Sequence, residues 1–287
     1  MLIANHGAAL VLITLGAALV NGALGYGFSS ITVPLALLFL SNRALNPALV
    51  VIEVALNAYV IWTNRAALPR VWRRVLPVTI GLAPGVVLGT LIIARVSPDW
   101  LKLLTYVVLL PPILLQAAGS RRPIQAERSA GFMFGGGLGV LYAVTTISGP
   151  PLAVALNNQG FSKQEFRAAL GVVRMAESTL TAIAYLAAGL FEPESFGLLP
   201  WILPSVLAGV PLGAAVIRHV RSETFRRVCM SFDAWIVSFG ASTLLRQLHL
   251  VDSRAAFAVM AAVVATDAWL LYRFFSRVPR RVLTHAA

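Results

Sequence analysis

Two long apolar stretches of this chain are interrupted in the same way, once in each half of the sequence. Residues 21–35 and residues 135–152 each run from glycines through hydroxyl side chains to proline and a short apolar segment. Gly22 matches Gly139, and Pro34 matches Pro151, each pair being 117 positions apart. In a membrane protein, matched interruptions in two halves of the chain are the best sequence indication of a transport site. The pattern therefore predicts a transporter built on an internal repeat.

The composition supports a location in a membrane. Apolar residues make up 58% of the chain and charged residues only 12%, and the mean hydropathy is +0.81. Soluble domains carry about 25% charged residues, so this chain lacks the polar side chains that would cover it in water. Several apolar runs approach or exceed the roughly 20 residues that cross a bilayer as a helix.

The net charge of +12 does not indicate a nucleic-acid partner, because the basic residues lie in short loops beside apolar runs and form no separate basic domain. This is the positive-inside distribution of membrane proteins. The loops at 64–74, 119–129 and 218–227 and the C-terminal tail each hold several arginines and are predicted to be cytoplasmic. The loop at 191–196 holds Glu192 and Glu194 but no basic residue, so we expect it outside.

Apolar runs and loops divide the chain into consecutive parts of one membrane domain. Residues 1–118 are predicted to form a first transmembrane repeat, 119–129 a cytoplasmic connecting loop, 130–250 a second transmembrane repeat, and 251–287 an additional helix with a basic tail. The predicted spanning helices are 46–63, 75–95, 99–118, 165–190, 197–217, 224–245 and 254–275.

The predicted sides of the loops also predict the shape of the interrupted segments. Helix 165–190 alone crosses from the inner loop at 119–129 to the outer loop, so segment 130–158 must return to the side from which it entered. We expect it to be a re-entrant hairpin of two half-helices. The same reasoning makes 7–41 an opposed hairpin with an outer N-terminus, although a broken helix that crosses fully also fits.

The expected fold is therefore an all-α polytopic membrane protein of two inverted repeats. Each repeat is a broken or re-entrant helical hairpin plus three transmembrane helices, and one extra helix follows at the C-terminus. The inversion follows because three spanning helices, an odd number, separate the two hairpins.

The residues of the two breaks indicate an anionic substrate. Serine or threonine followed by proline is typical of a helix start, and both Ser148-Gly149-Pro150-Pro151 and residues 30–34 have this order. The start of a helix presents unpaired N–H groups and a partial positive charge, which suit a small oxyanion. Close helix packing in lipid is the alternative explanation of the glycines and hydroxyls.

The helix after each break carries a charge at the same register. Glu53 and Arg174 are 121 positions apart, as are Asn57 and Ser178. Each charge would cost about 3 kcal/mol at the bilayer centre, so both should face the protein interior or pair with each other. Arg174 is a candidate ligand for the oxyanion, and Glu53 and Glu177 are candidates for proton coupling. A structural pair of Arg174 with either glutamate remains open.

These arguments yield one set of candidate residues and no cofactor or metal site. The candidate substrate-binding residues are Gly25, Gly27, Ser29, Ser30, Thr32, Asn57, Thr145, Thr146, Ser148, Gly149, Arg174 and Ser178, and the candidate coupling residues are Glu53 and Glu177.

The doubled break with its following helix resembles the sulfite exporter TauE/SafE family. The resemblance rests on Gly22 to Leu35 and on Gly135 to Leu152 together with Arg167 to Ser178, and it extends over nearly the whole chain. It implies a secondary transporter of small sulfur-containing anions, such as sulfite, sulfoacetate or other organosulfonates, in the bacterial inner membrane. The chain departs from the family pattern at Tyr142 to Thr146, where a further glycine cluster is common.

Two other classes of function stay open at this point: an intramembrane enzyme and a membrane assembly or scaffold protein. The chain has no catalytic motif of known spacing and no nucleotide-binding loop. We therefore expect coupling to a gradient of H⁺, of Na⁺ or of the anion itself. The expected partners are the anion and membrane lipid. The oligomeric state is left open, a homodimer being one option.

Overall fold

The computed structural model describes residues 2–117, 128–157, 159, 161–216 and 222–277, and within these ranges the chain is helical, with no strand. Its helices are α1 Leu2–Leu24, α2 Phe28–Ala36, α3 Asn42–Thr63, α4 Leu68–Arg95, α5 Pro98–Ala117, α6 Arg128–Thr145, α7 Gly149–Asn157, α8 Lys163–Ala187, α9 Pro193–Val216, α10 Ser222–Gln247 and α11 Ala258–Arg277. Short 3-10 turns at Arg65–Ala67 and Arg254–Phe257 lead into α4 and α11. Most of the predicted connecting loop 119–129, part of the loop 218–227 and the basic tail from residue 278 lie outside the described residues.

The lengths and composition of the helices make this a multi-pass membrane protein. Five segments are apolar and long enough to cross a bilayer: Gly7–Leu24, Asn42–Thr63, Arg65–Arg95, Pro193–Val216 and Arg254–Ser276. Helices α5, α8 and α10 have 20, 25 and 26 residues, which at about 1.5 Å per residue is also enough for a hydrocarbon core of about 30 Å. Each predicted spanning segment coincides with one of these helices.

Both predicted breaks are present, but their arms are unequal. The first arms, α1 and α6, have 23 and 18 residues, whereas the second arms, α2 and α7, have nine each. Helices α2 and α7 are therefore half-helices. The first arm α1 contains Gly7–Leu24, which is long and apolar enough to cross a bilayer and agrees with the alternative of a broken helix that crosses fully, whereas the apolar part of α6, Ala130–Thr145, is shorter.

The start of α7 agrees with its prediction, and the start of α2 does not. Helix α7 begins at Gly149, directly after Ser148. Helix α2 begins at Phe28, so Thr32 is its fifth residue and Pro34 its seventh. The Ser-Thr-Pro order at 30–34 is therefore inside the half-helix. This is possible because the turn at Gly25 and Gly27 allows the helix to start earlier.

Glycine is required at the first break by its backbone conformation. Gly25 has φ of 85° and Gly27 has φ of 106°, a left-handed region that costs other residues roughly 1–2 kcal/mol. At the second break the corresponding strain falls on Thr146, with φ of 55°. These residues form the turns between each long helix and its half-helix.

Helices α4 and α6 approach each other closely along a row of glycines. A Cβ atom added to Gly81 would lie 2.1 Å from the carbonyl oxygen of Phe132, and one on Gly85 would lie 2.1 Å from that of Gly136. In the reverse direction, a Cβ on Gly139 would lie 2.5 Å from the carbonyl oxygen of Leu82. Small residues are what allow such backbone approach between membrane helices.

Helices α1 and α9 pack in the same manner. A Cβ on Gly209 would lie 2.9 Å from the carbonyl oxygen of Leu15, one on Gly213 would lie 1.9 Å from that of Leu19, and one on Gly22 would lie 2.1 Å from that of Val210. Leu15 and Leu19 precede Phe132 and Gly136 by 117 positions, as Gly22 precedes Gly139. Gly209 and Gly213 follow Gly81 and Gly85 by 128 positions, as Val210 follows Leu82.

Helices α3 and α8 pack against each other between these two pairs. Val60 and Ile61 of α3 lie against Gly171 of α8, where an added Cβ would be 3.2 and 3.0 Å from their side chains. Helix α3 also contacts α9, and α8 also contacts α4. The faces that carry Glu53 and Arg174 are thereby buried inside the bundle.

Candidate functional site

A buried ion pair between α3 and α8 lies at the centre of the structure. Nη2 of Arg174 donates to Oε1 of Glu53 at 2.6 Å, and the two side chains are only 3% and 1% exposed. The prediction that both charges face the interior or pair with each other is confirmed. Of the two pairings left open for Arg174, the one with Glu53 forms.

Glu53 also accepts hydrogen bonds from both broken segments. The hydroxyl of Ser29, in the first turn of α2, donates to the same Oε1 atom, and the hydroxyl of Tyr142, near the end of α6, donates to Oε2 at 2.6 Å. Both carboxylate oxygens therefore have partners. Sequence reasoning missed Tyr142, which is fully buried; a tyrosine within a glycine-rich membrane helix was the available signal.

Glu177 makes the corresponding contact with the second half-helix. Its Oε2 atom accepts a hydrogen bond from the hydroxyl of Ser148, the residue before α7. The side chain is fully buried, and its Oε1 atom has no hydrogen-bond partner among the described residues. One of the two candidate coupling carboxylates is thus fully satisfied and the other is not.

The candidate pair Asn57 and Ser178 extends the polar cluster along the same two helices. Nδ2 of Asn57 is 3.5 Å from the hydroxyl oxygen of Ser178, which in turn donates to the carbonyl oxygen of Arg174 at 2.8 Å. Both residues are buried. The contact of Asn57 with Ser178 thus joins α3 to α8 beside the ion pair, whereas the bond from Ser178 to the Arg174 carbonyl lies within α8.

Thr145 and Thr146 satisfy the backbone of the second break. The hydroxyl of Thr145 donates to the carbonyl oxygen of Leu141 at 2.6 Å and accepts from the N–H of Ile147 at 3.0 Å. The hydroxyl of Thr146 donates to the carbonyl oxygen of Thr145 at 2.7 Å. These contacts give both threonines a role in ending α6.

Side chains from neighbouring helices complete the ends of α1 and α6. Arg167 donates to the carbonyl oxygen of Ala23 at 2.8 Å, and Asn46 donates to that of Val144 at 2.7 Å. The hydroxyl of Tyr185 donates to the carbonyl oxygen of Ala143. The last carbonyls of a helix have no partner within it, so these side chains make a buried helix end possible. None of the three was selected from the sequence as a site residue.

Five further candidates lie around the two half-helix starts. A Cβ on Gly149 would be 3.4 Å from the ring of Tyr26 and 3.9 Å from Nη1 of Arg174, so the guanidinium lies beside the start of α7. Gly25 faces the side chain of Arg167. Ser30 and Thr32 are buried in α2, and the Thr32 hydroxyl has no partner among the described residues. Gly27 is the N-cap of α2 and provides no side-chain cap.

The two half-helix starts differ in the backbone donors that they offer. The first N–H groups of a helix have no partner within it, and in α2 these belong to Phe28, Ser29 and Ser30. In α7 the second and third residues are Pro150 and Pro151, which have no N–H group. The two starts are therefore not equivalent as anion sites, and at α7 the available donors are the Gly149 amide and neighbouring side chains.

The buried cluster combines hydroxyls, one guanidinium and two carboxylates. Arg174 supplies a forked donor whose Nε has no partner among the described residues, and such a fork matches an oxyanion with two or more oxygens. Because all of these groups are almost fully buried, the cluster is closed to solvent in this conformation.

Other acidic residues lie away from this cluster. Asp267 accepts hydrogen bonds from Ser231 at 3.0 Å and Trp235 at 2.9 Å, which joins α11 to α10. Asp233 is buried, and its carboxylate has no partner among the described residues. Within the described part of the chain, no three His, Cys, Asp or Glu side chains come together as metal ligands.

Comparison with known proteins agrees with this architecture. No solved structure matches the chain. A protein of Cupriavidus necator (strain ATCC 17699 / DSM 428 / KCTC 22496 / NCIMB 10442 / H16 / Stanier 337), described as a probable sulfite/organosulfonate exporter TauE, is 28% identical over 180 residues, which is 61% of this chain and 68% of that protein. The sequence profile of the sulfite exporter TauE/SafE family matches residues 10–239. A match of this extent, on a helical chain with two broken membrane segments, makes the protein a membrane transporter rather than an enzyme, and the chain belongs to the sulfite exporter TauE/SafE family.

Proposed function

We propose that the protein carries a small sulfur-containing oxyanion, such as sulfite, sulfoacetate or a related organosulfonate, across the bacterial inner membrane. The anion is held where α2 and α7 begin, between Arg174 and the hydroxyls of Ser29 and Ser148. The observation that carries this proposal is the buried contact of both half-helices with one charged cluster. The Cupriavidus necator relative, a probable sulfite/organosulfonate exporter, supports the substrate class.

The chemistry of the donors fits this substrate. Sulfite and sulfonates carry three oxygens on one sulfur, which can accept a forked pair of hydrogen bonds and a further single bond at the same time. The guanidinium of Arg174 can supply the forked pair of hydrogen bonds. The amides at the start of α2 can supply the single bond, aided by the helix dipole. The remaining candidate residues, Asn57 and Ser178, lie next to this shell.

We also propose that the two halves are inverted repeats, with residues 1–118 and 130–250 as the equivalent parts. Matched glycine contacts of α1 with α9 and of α6 with α4 support this. In inverted-repeat transporters, one part rocks against the other around a site near the midplane. Alternating access of the anion site would follow from that motion.

The arginine-rich loops support a cytoplasmic C-terminus, and the ion gradient across a bacterial inner membrane could drive the transport. Glu53 and Glu177 are the two candidates for the coupling group, because a buried carboxyl beside the substrate can take up and release a proton. Both lie within the proposed binding shell.

The test is saturable flux of labelled sulfite into proteoliposomes of the purified protein, with organosulfonates as competitors. Arg174→Lys keeps the charge but removes the fork, so we expect flux to fall at least tenfold. Arg73→Ala, which removes an exposed arginine at the predicted cytoplasmic end of α4, is the matched control and should leave flux unchanged. Undiminished flux in Arg174→Lys would show that the forked donor of Arg174 does not bind the anion. A complete absence of flux for every tested anion would contradict the proposed substrate class.

A further inference from the structure

We propose that Glu177 occupies the position of the substrate at the start of α7 and must take up a proton each time an anion binds there. This inference rests on the proposed function, because it concerns the same anion site. It assigns different roles to the two candidate coupling carboxylates.

The contact between Glu177 and Ser148 carries the argument. Ser148 is the residue before α7, and its hydroxyl is the side-chain donor nearest in sequence to that helix start. In the structure this donor is bound to Oε2 of Glu177. An ionised carboxylate and a sulfonate are both oxyanions that accept the same hydrogen bonds. The carboxylate therefore competes with an incoming anion for Ser148.

Glu53 differs from Glu177 in how fully it is satisfied. Glu53 accepts from Ser29 and Arg174 on one oxygen and from Tyr142 on the other. Glu177 has one accepted bond, and its second oxygen is buried without a partner in the described part of the chain. Unpaired buried carboxylate oxygens are destabilised in the ionised form. Glu53 is thus the standing counter-ion of Arg174, and Glu177 is the group that changes its charge.

The surrounding charges support the same assignment. The charged or titratable groups near Glu177 are Arg174 on its own helix, Glu53 on α3 and Tyr142 on α6, and α7 carries no charged residue. One arginine and two ionised glutamates leave a net negative cluster. Binding of an anion would add a second net negative charge to the cluster. Uptake of one proton by Glu177 at the same time keeps the net charge unchanged.

In the proposed step, Glu177 takes up one proton when the anion binds and releases it when the anion leaves. When the site opens to one side, the Glu177 carboxylate takes a proton from water and becomes a neutral carboxylic acid. The Ser148 hydroxyl is released and donates to the anion, and the new O–H group of Glu177 becomes a second donor. When the anion leaves, the proton returns to water. Anion and proton therefore bind together.

The test measures binding of methanesulfonate, whose charge does not change with pH, to the full-length protein in lipid nanodiscs. For wild type we expect the Kd to rise about tenfold per pH unit on the alkaline side of the transition, as one linked proton requires. On the alkaline side of that transition, a pH indicator in weakly buffered solution should record uptake of about one proton per anion bound. The second measurement needs no variant.

Glu177→Gln should bind methanesulfonate with a Kd that is independent of pH and close to the low-pH value of wild type. Glu192→Gln changes an exposed glutamate in the loop after α8 and should retain the wild-type pH dependence. Binding that does not vary with pH in wild type, or a Glu177→Gln variant with the wild-type slope, would overturn this inference while leaving the anion site intact. Absence of binding in wild type at every pH would overturn the proposed function and this inference with it.

Discussion

Asn46 and Arg167 make equivalent hydrogen bonds at the two breaks of the chain. Asn46 donates to the carbonyl oxygen of Val144 at 2.7 Å, and Arg167 donates to that of Ala23 at 2.8 Å. Arg167 follows Asn46 by 121 positions, and Val144 follows Ala23 by the same number. Each half of the chain therefore provides the side chain that completes the end of the broken helix in the other half.

Removing the Asn46 side chain should destabilise the protein, because the Val144 carbonyl would be left without this donor in a buried position. We expect Asn46→Ala to lower the free energy of unfolding by about 1–3 kcal/mol, measured by thermal unfolding in detergent. Thr63→Ala is the control, since the Thr63 hydroxyl is exposed and bonds only to its own helix, at Tyr59. Equal unfolding midpoints for the two variants would contradict a role for Asn46 in ending α6.

Substitution of Gly27 should be costly for a conformational reason. Its φ of 106° is unfavourable for any residue with a Cβ, and that Cβ would lie 3.0 Å from the Val20 side chain. We expect Gly27→Ala to cost about 1–2 kcal/mol of stability and to reduce flux, since α2 would start in a different direction. Gly137→Ala is the matched control, because an added Cβ there has no atom within 4 Å among the described residues. If the two variants unfold alike, the left-handed turn at Gly27 does not matter.

The hydroxyl of Tyr142 should matter for transport. Tyr142→Phe keeps the ring but leaves Oε2 of Glu53 without its partner at 2.6 Å. We expect a loss of about 1–3 kcal/mol in stability and slower flux, because Glu53 can then no longer remain the fully paired counter-ion. Tyr59→Phe removes a hydroxyl from a tyrosine that is 50% exposed and should change neither property. Flux at the wild-type rate in Tyr142→Phe would show that the Tyr142 hydroxyl plays no part in the proposed site.

The ion pair of Glu53 and Arg174 should show strong coupling in a double-mutant cycle. Either single change, Glu53→Gln or Arg174→Gln, leaves an uncompensated buried charge and should cost about 3–5 kcal/mol. The double variant should cost clearly less than the sum of the two. The pair Arg70 and Glu165, at 4.0 Å with the arginine 76% exposed, is the control and should show no measurable coupling. Additive effects at Glu53 and Arg174 would mean that the two side chains do not interact in solution.

Much of the fold could be predicted from local properties of the sequence. The apolar runs predicted the spanning helices, and the glycine-rich breaks predicted the two interruptions. The common register of Glu53 and Arg174 predicted that they would face the interior or pair. Each of these follows from the cost of exposing a polar group to lipid, which can be estimated from neighbouring residues alone.

The start of α2 and the backbone donors of α7 were predicted less well. The residue order at 30–34 resembles a helix start, yet the left-handed turn at Gly27 begins the helix at Phe28. In α7, Pro150 and Pro151 favour a helix start but lack two of the N–H groups that the start of a helix usually presents to an anion. In both cases two local preferences compete, and the residue order alone does not show which one decides the structure.

The sequence by itself determined that the chain lies in a membrane, that it is broken twice, and that a few charges must be buried near those breaks. Only the tertiary structure decided which groups meet: Tyr142 with Glu53, Ser148 with Glu177, and Asn46 and Arg167 with the helix ends. These partners belong to different segments of the fold, and they are brought together because α3 and α8 pack against each other between the α4–α6 pair and the α1–α9 pair. Contacts of that kind depend on the relative positions of whole helices, which no local pattern of residues records.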